Sequence, residues 1–471
     1  MGPKKGISGR GGKSGGGPGK KSSSSPPEKP RKTHKSDHTK RQQQQQQQQQ
    51  GRTDSTALPQ QQERIDFDTV AASIPLPLQQ LLLNVFRCAL LHDERTSESS
   101  EAPDAAPPDD GAGSTASLHD QIQTMKAHLY QRDFASAFAD ASPDLLRAYA
   151  LRWSASRCLG YVGLLRGMIS MILGDDAEEG MASRNGEVVS PLHVLCVGGG
   201  AGAEIVALAG VWRLLQDEVG SSSADWNTAT ALLDKDVHGI ESGVGNFSLG
   251  DEQEDKHGDD AGHQQELPKL SVTAVDIADW SSVVSRLRDM MYSASVTGSR
   301  SHPSPLLSQD DRGKIEISFR HLDILSLLYD DLNALLAHKG QGTSLITLMF
   351  TLNELFTTSI AKTTQFLLRL TDLTAPGAVL LVVDSPGSYS TLSLGSDISE
   401  QKKQRQYPMK FLLDHTLLSV ADGKWERIVS QDSRWWRRDA SRLRYDVNLE
   451  GGEGLVKLED MRFQIHVYRR L

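Results

Sequence analysis

The sequence predicts an α/β fold: a doubly wound, largely parallel sheet, with an N-terminal helical extension and a disordered basic tail ahead of it. Three observations carry that expectation. After Gly186, continuous apolar runs alternate with helical segments, as strands buried on both faces do. Between Ile74 and Met171, apolar residues recur at helical spacing. The first 62 residues mix Gly, Ser, Pro and Lys with nine consecutive glutamines (Gln42 to Gln50), too little apolar surface to offset the entropy of ordering.

The tail, residues 1–64, sets the charge pattern. Within residues 1–41, twelve basic side chains from Lys4 to Arg41 stand against Glu28 and Asp37, a balance of +10; the other 430 residues carry -19 of the net -9. A basic tail on an acidic body excludes a uniformly basic nucleic-acid-coating protein. The basic clusters suit a nuclear or nucleolar address or loose contact with RNA phosphates, with a solubilising tail as the alternative. Three scattered cysteines (Cys88, Cys158, Cys196) make neither a disulfide framework nor a Cys-x-x-Cys zinc site, so a reducing compartment and no metal are expected. No unbroken run approaches eighteen apolar residues, and Met1-Gly2-Pro3-Lys4-Lys5 lacks a secretory stretch; no membrane segment is expected.

The helical region, 65–175, changes character at Ile74, where Leu76, Leu78, Leu81, Leu82, Val85, Phe86, Ala89 and Leu90 recur at helical spacing, an amphipathic helix with Pro75 and Pro77 near its start. A Ser-, Pro- and Asp-rich linker at about 93–117 separates it from two or three further helices between Gln121 and Met171. Strands are then expected at Leu192 to Val197, Val272 to Val275, Ile315 to Phe319, Leu345 to Phe350 and Ala378 to Val383. Two more, Trp425 to Val429 and Arg462 to Tyr468, form an antiparallel pair at the far edge. Within this domain, 176–471, an acidic, Gly-rich stretch at about 220–266 reads as a disordered insertion, and a shorter surface insertion runs from about Ser293 to Arg312.

The chemistry starts at Val194-Leu195-Cys196-Val197-Gly198-Gly199-Gly200-Ala201-Gly202-Ala203-Glu204, a buried strand running through a glycine turn into a helix, Ile205 to Leu215. Glycine lets backbone approach a ligand, and a helix start offers unpaired N–H groups, so Gly198, Gly200 and Gly202 mark a nucleotide-like site. Gly198-x-Gly200-x-x-Ala203 also loosely fits the dinucleotide fingerprint, and a bare structural turn is a further alternative. The second strand ends in Asp276, an acceptor for two ribose hydroxyls. After the third, Asp323 either accepts from an adenine amino group or caps a helix from Ile324 to Leu336.

A glycine loop after strand one, an acid ending strand two and an Asp after strand three resemble Rossmann-like S-adenosylmethionine methyltransferases, over residues 190–471. The chain departs from that pattern at Cys196, where an acid commonly stands; Glu204 would take its part. Four more segments extend the likeness: Tyr149-Ala150-Leu151-Arg152-Trp153-Ser154-Ala155-Ser156-Arg157, Phe350-Thr351-Leu352-Asn353-Glu354-Leu355-Phe356, Val383-Asp384-Ser385-Pro386-Gly387-Ser388-Tyr389 and Asp432-Ser433-Arg434-Trp435-Trp436. In this order they resemble the 25S ribosomal RNA uridine-N(3) methyltransferases. That resemblance implies S-adenosylmethionine as cofactor, large-subunit ribosomal RNA or a pre-ribosome as partner, a nucleolar setting and a monomer.

Uridine N3 is a protonated imide, so its methylation needs a base or donors for charge spreading onto the carbonyls. Glu354 and Asp384 are the candidate bases, and Asn353 a candidate donor. Asn353 could instead cap a helix from Glu354 to Leu370, and Asp384 could merely brace a turn. The Asn-Pro-Pro-Tyr signature of exocyclic-amine methyltransferases is absent, which an imide target allows. Tyr389, Trp435 and Trp436 are candidates to stack on the base, beside Arg434, Arg437 and Arg438, with core or edge-strand packing as the alternative for the tryptophans. Arg152, Trp153 and Arg157 are candidates for a lid on the cofactor. A protein methyltransferase and a non-catalytic ribosome-assembly factor of the same fold are the competing functions; a nicotinamide oxidoreductase would lack its second substrate domain.

Overall fold

The computed structural model describes residues 74–91, 117–179, 191–237, 267–337, 340, 342–387, 389–394, 403–437, 442–449 and 456–471. The basic tail, nearly all of the 93–117 linker and residues 238–266 of the expected insertion lie outside the described residues.

The helical extension folds as its periodicity requires. In α1 (Leu76–Leu91) the buried side chains Leu78, Leu81, Leu82, Val85, Phe86 and Ala89 make one continuous stripe. Ser117 caps α2 (Leu118–Gln131) by accepting from Asp120 N–H at 3.2 Å, and Ser142 caps α3 (Pro143–Tyr149) from Leu145 N–H at 3.2 Å. Between them lies a π-helical turn, Ala135–Ala139; a second, Ala150–Ser154, joins α3 to α4 (Ala155–Glu179). The run Pro143–Gly174 is long and apolar enough to cross a membrane by length and composition, with 67% of its most apolar window buried in the protein. It is apolar on most sides because α1, the strand Met461–Arg470 and the first crossover helix all pack on α4.

The sheet has the order β3-β2-β1-β4-β5-β9-β8. Its members are β1 (Leu192–Val197), β2 (Leu270–Asp276), β3 (Ile315–His321), β4 (Leu345–Met349), β5 (Val379–Asp384), β8 (Trp425–Trp436) and β9 (Met461–Arg470). The first five run parallel; β9 is antiparallel to β5 and to β8. Alternation along β1 shows why the strand is buried throughout. Val194 and Cys196 point into a core shared with α1, α4, α5 (Ala203–Val237) and α6 (Ser281–Met291). Leu195 and Val197 point into a second core with α7 (Tyr329–Leu336), α8 (Leu352–Thr358), α9 (Ile360–Leu373) and α10 (Met409–Asp414). Because β1 neighbours both β2 and β4, the chain leaves the sheet in opposite directions there, and a crevice opens at the strands' C-terminal ends.

Several expected boundaries move. Helix α5 continues through Gly220 to Val237, beyond the expected end at Leu215 and into the stretch read as disordered. The Ser293 to Arg312 segment is largely exposed, as expected of a surface insertion, but it is anchored: Val296, Leu306 and Leu307 are in the core, and Ser308 and Asp311 close a capping box. The single helix expected from Glu354 to Leu370 is two helices, α8 and α9. They break at Ser359, whose hydroxyl caps α9 by accepting from Lys362 N–H at 3.3 Å. A hairpin of β6 (Tyr389–Leu394) and β7 (Lys403–Pro408), absent from the sequence reading, follows β5. Strand β8 runs seven residues past Val429, through two irregularities that the partner strand β9 accommodates.

Candidate active site

The turn after β1 is built by close approach. Gly198 has φ +78 and Gly202 φ +87, and a Cβ on Gly198 would collide with the Thr351 side chain, on Gly202 with Leu287. A Cβ on Gly200 would meet Trp280 and the Asp276 side chain. Gly198 therefore faces the crevice, while Gly200 and Gly202 let the turn pack against what lies behind it. Asp276 locks this arrangement: its Oδ2 accepts from Gly200 N–H at 3.2 Å and its Oδ1 from Ala278 N–H at 3.1 Å.

The crevice is a cleft of about 1160 Å³, its mouth included. Gly198 and Glu204 form its floor, Asp276 and Ile277 one side, and Leu322 and Asp323 the next. Opposite stand Phe350, Thr351 and Glu354 from the end of β4 and from α8. The helical extension supplies the roof, with Phe138, Tyr149, Ser154, Arg157 and Tyr161. Ile277 (46% exposed) and Leu322 (38%) offer apolar surface to a flat ring that would otherwise meet water. The π-helical turn at Ala150–Ser154 brings Ser154 and Arg157 over the cleft, a placement that such turns often serve.

Phe350 has φ +61, the left-handed region that a bulky residue rarely enters. This turn seats Thr351 against Gly198 and presents the ring of Phe350 to Arg157, whose guanidinium lies 4.7 Å from its centroid. Arg157 also donates to the Tyr149 hydroxyl at 2.5 Å. Arg152 instead points away, pairing with Glu459 and donating to Lys457 O at 3.1 Å. Of the proposed lid, Arg157 reaches the cleft, and Trp153 packs at a tilt against Tyr149, ring centroids 5.1 Å apart, without lining it.

The remaining acids fall in three places. Asp323 lines the cleft but is not the N-cap of a helix from Ile324; its carboxylate accepts from Leu325 N–H at 3.0 Å and from the Ser326 hydroxyl, a turn that delays α7 to Tyr329. Asp384 is 3% exposed, with Oδ2 accepting from Asn353 N–H at 2.9 Å and Oδ1 from Ser385 N–H at 2.7 Å. It lies behind Asn353 and anchors the start of α8. Asn353 is the second residue of α8, not its cap, and its Oδ1 is buried with no partner among the described residues. Glu354, one residue on, faces the cleft.

Charge in the cleft is unbalanced. Burial, with Asp276 nearby, pushes Glu204 up to about 8; it is 3% exposed and its Oε1 has no partner. Burial, then the neighbouring Asp384 and Asp276 carboxylates, pushes Glu354 up to about 8. Burial likewise raises Asp276 and Asp384 to about 6, against the backbone N–H groups that favour their ionised forms. The Arg157 guanidinium favours the ionised forms of Glu204, Glu354 and Asp384. Four acids on the cleft wall, Glu204, Asp276, Asp323 and Glu354, against the single guanidinium of Arg157 suit a ligand that brings positive charge.

Comparison with known proteins decides what that ligand is. Residues 103–469 match a family described as putative SAM-dependent methyltransferase. The chain belongs to this family. The methyltransferase is also 30% identical over 368 residues to the 25S rRNA (uridine(2843)-N(3))-methyltransferase of Saccharomyces cerevisiae, covering 77% of this chain and 80% of that protein. Among solved structures, a SAM-dependent methyltransferase from Methanosarcina mazei is 11% identical with TM-score 0.27, covering 60% of this chain and 94% of its own. An O-methyltransferase family protein from Burkholderia thailandensis is 10% identical with TM-score 0.30, covering 75% and 71%.

S-adenosylmethionine fits this cleft by charge and by donor set. Its sulfonium, ammonium and carboxylate sum to one positive charge, which the acid excess accommodates. Asp276 would accept from the ribose hydroxyls, Ile277 and Leu322 would flank the adenine, and the unpartnered Glu204 Oε1 would accept from the ammonium. An ionised Glu204 holds a cation better than a protonated one, so cation binding releases protons and its affinity rises with pH towards about 8. Calorimetry with S-adenosylmethionine in two buffers of different ionisation enthalpy, between pH 6 and 7.5, is expected to show proton release that falls in Glu204→Gln. Titration of the ligand's own amine is common to both proteins and cancels in the difference. Equal release from both would dissociate Glu204 from the cofactor.

Proposed function

We propose that the methyltransferase modifies N3 of a uridine in large-subunit ribosomal RNA, as a pre-ribosome-associated enzyme of the nucleolus. The observation that carries this reading is Glu354: an acid facing the cleft from α8, raised by its surroundings to about 8. An imide nitrogen must lose its proton to become a nucleophile, and a base poised near the operating pH does this most effectively. The yeast relative supports the substrate, and the basic clusters of residues 1–41 support the setting.

S-adenosylmethionine supplies an electrophilic methyl group. The protein's own work is positional and protonic. Glu354 accepts the N3 proton, and Asp384 fixes where Glu354 sits by holding Asn353 N–H at the start of α8. Phe350 and the Arg157 guanidinium on its ring wall the cleft beside Glu354. Because N3 lies on the pairing edge, the uridine must arrive unpaired or flipped out of its helix. Activity should therefore climb as pH approaches 8 from below, while Glu354 gains its charge.

Mass spectrometry of nucleosides from cells lacking the gene tests the substrate: 3-methyluridine should disappear from large-subunit rRNA, and its persistence at the wild-type level would refute the proposal. With active enzyme in hand, Glu354→Gln should lower turnover roughly a hundred- to ten-thousand-fold while S-adenosylhomocysteine still binds. Full activity in that variant would pass proton removal to solvent or another group.

A further inference from the structure

We infer that Trp435, with Arg437 and Arg462, is a stacking platform for a single-stranded nucleotide flanking the target base, an inference that rests on the RNA substrate proposed above. Sheet register places it. Asp384, at the mouth of β5, pairs with Gln464 of β9; two residues earlier in β9, Arg462 pairs with Trp435. The last turn of β8 therefore lies at the same end of the sheet as the cleft, two strands beyond β5.

Adjacent residues of a strand point to opposite faces, and here the two tryptophans divide accordingly. Trp436 packs inward against the core, close to Gly160 of α4, three residues from the cleft-lining Arg157. Trp435 is 50% exposed. Its ring centroid lies 5.4 Å from the Arg437 guanidinium carbon and 5.8 Å from that of Arg462, and Arg462 is steadied by donating from Nε to the Ser433 hydroxyl at 3.1 Å. Among the described residues neither guanidinium has a carboxylate partner.

An exposed indole beside two guanidinium groups that have no carboxylate partner among the described residues, on a body of net negative charge, is matched by a ligand that is planar and anionic in alternation. A nucleic acid strand is that ligand: bases stack on the indole or guanidinium planes and phosphates meet the cations. An acidic peptide would use the charges and leave the indole idle. Sequence alone could not separate Trp435 from Trp436; register and burial do.

The test uses the full chain and a fluorescein-labelled oligouridylate of about ten nucleotides, within the usual site size for single strands, read by anisotropy. Trp435→Ala should weaken binding roughly 5- to 150-fold, the worth of one stacked base, and Trp435→Phe should recover most of it. Arg462→Gln should flatten the salt dependence by about 0.7 in log–log slope, one phosphate's share. In turnover, KM for RNA should rise in Trp435→Ala with kcat and S-adenosylhomocysteine affinity unchanged.

Wild-type affinity in Trp435→Ala, no measurable binding by the wild type, or displacement of the oligonucleotide by polyglutamate of equal charge as readily as by unlabelled RNA would each overturn the platform. Loss of binding in Trp435→Ala together with persistent 3-methyluridine in the deletion strain would keep the platform and overturn the substrate. The reverse pair of results would do the opposite.

Discussion

Replacing Asp276 by Ala is expected to weaken S-adenosylhomocysteine binding roughly 10- to 150-fold, the 1.5–3 kcal/mol that hydrogen bonds to a charged group are worth. Two losses combine. The ribose hydroxyls lose their acceptor, and Gly200 and Ala278 lose the carboxylate that fixes the turn and the end of β2. Asp276→Asn separates them, because one amide oxygen can still accept from backbone while the charge is gone. It should fall between wild type and Ala. Binding in the wild type should also weaken as pH drops through about 6, where Asp276 takes up its proton. Titration calorimetry of the three proteins checks this, and undiminished affinity in Asp276→Ala would remove the ribose assignment.

Gly198→Ala should be the most damaging single methyl group in the domain. At φ +78 an L residue loses about 1–2 kcal/mol, and the Cβ would also collide with Thr351, adding about 1–3 kcal/mol of overpacking. Against a typical stability of about 5–15 kcal/mol, the variant should melt several degrees early and lose its cofactor site. Gly423→Ala is the control. Its φ is +70 but nothing lies within 4 Å of the added carbon, so it should lose the conformational part alone and bind cofactor normally. Thr351→Ala in the Gly198→Ala background should restore part of the loss, a coupling that thermal melts of the single and double variants would measure. Equal damage at Gly198 and Gly423 would mean that the contact with Thr351 carries no weight.

The sheet was legible because its central strands β1, β4 and β5 are nearly continuous apolar runs buried on both faces; all seven strands of the main sheet were found within a few residues, except for the long end of β8. Polar Lys403–Pro408 carries no such signal, and the β6–β7 hairpin went unseen. The Ser293 to Arg312 segment misled because its buried apolar side chains, Val296, Leu306 and Leu307, are too few among exposed neighbours to show a period. At the site, Gly198, Glu204, Asp276, Asp323 and Glu354 meet in one cleft. Asp384 does not line it, and its hold on a backbone N–H thirty-one residues away is a tertiary fact. The roof was the least readable part. Phe138 and Tyr149 look like ordinary helical core, and only the π-helical turn, which has no periodic signature, swings Arg157 over the ligand.

The place of β9 in the sheet has a consequence for how the domain is made. The chain synthesises β8 before β9, yet β8 touches no other strand of the main sheet, so it can join only once Met461–Arg470 has emerged and slotted in beside β5. A nascent chain halted short of that segment would carry two orphaned edges at once, on β5 and on β8, each open to pairing with a stranger. Trimming a single strand from this end would strip away two, and the tryptophan-bearing arm with them.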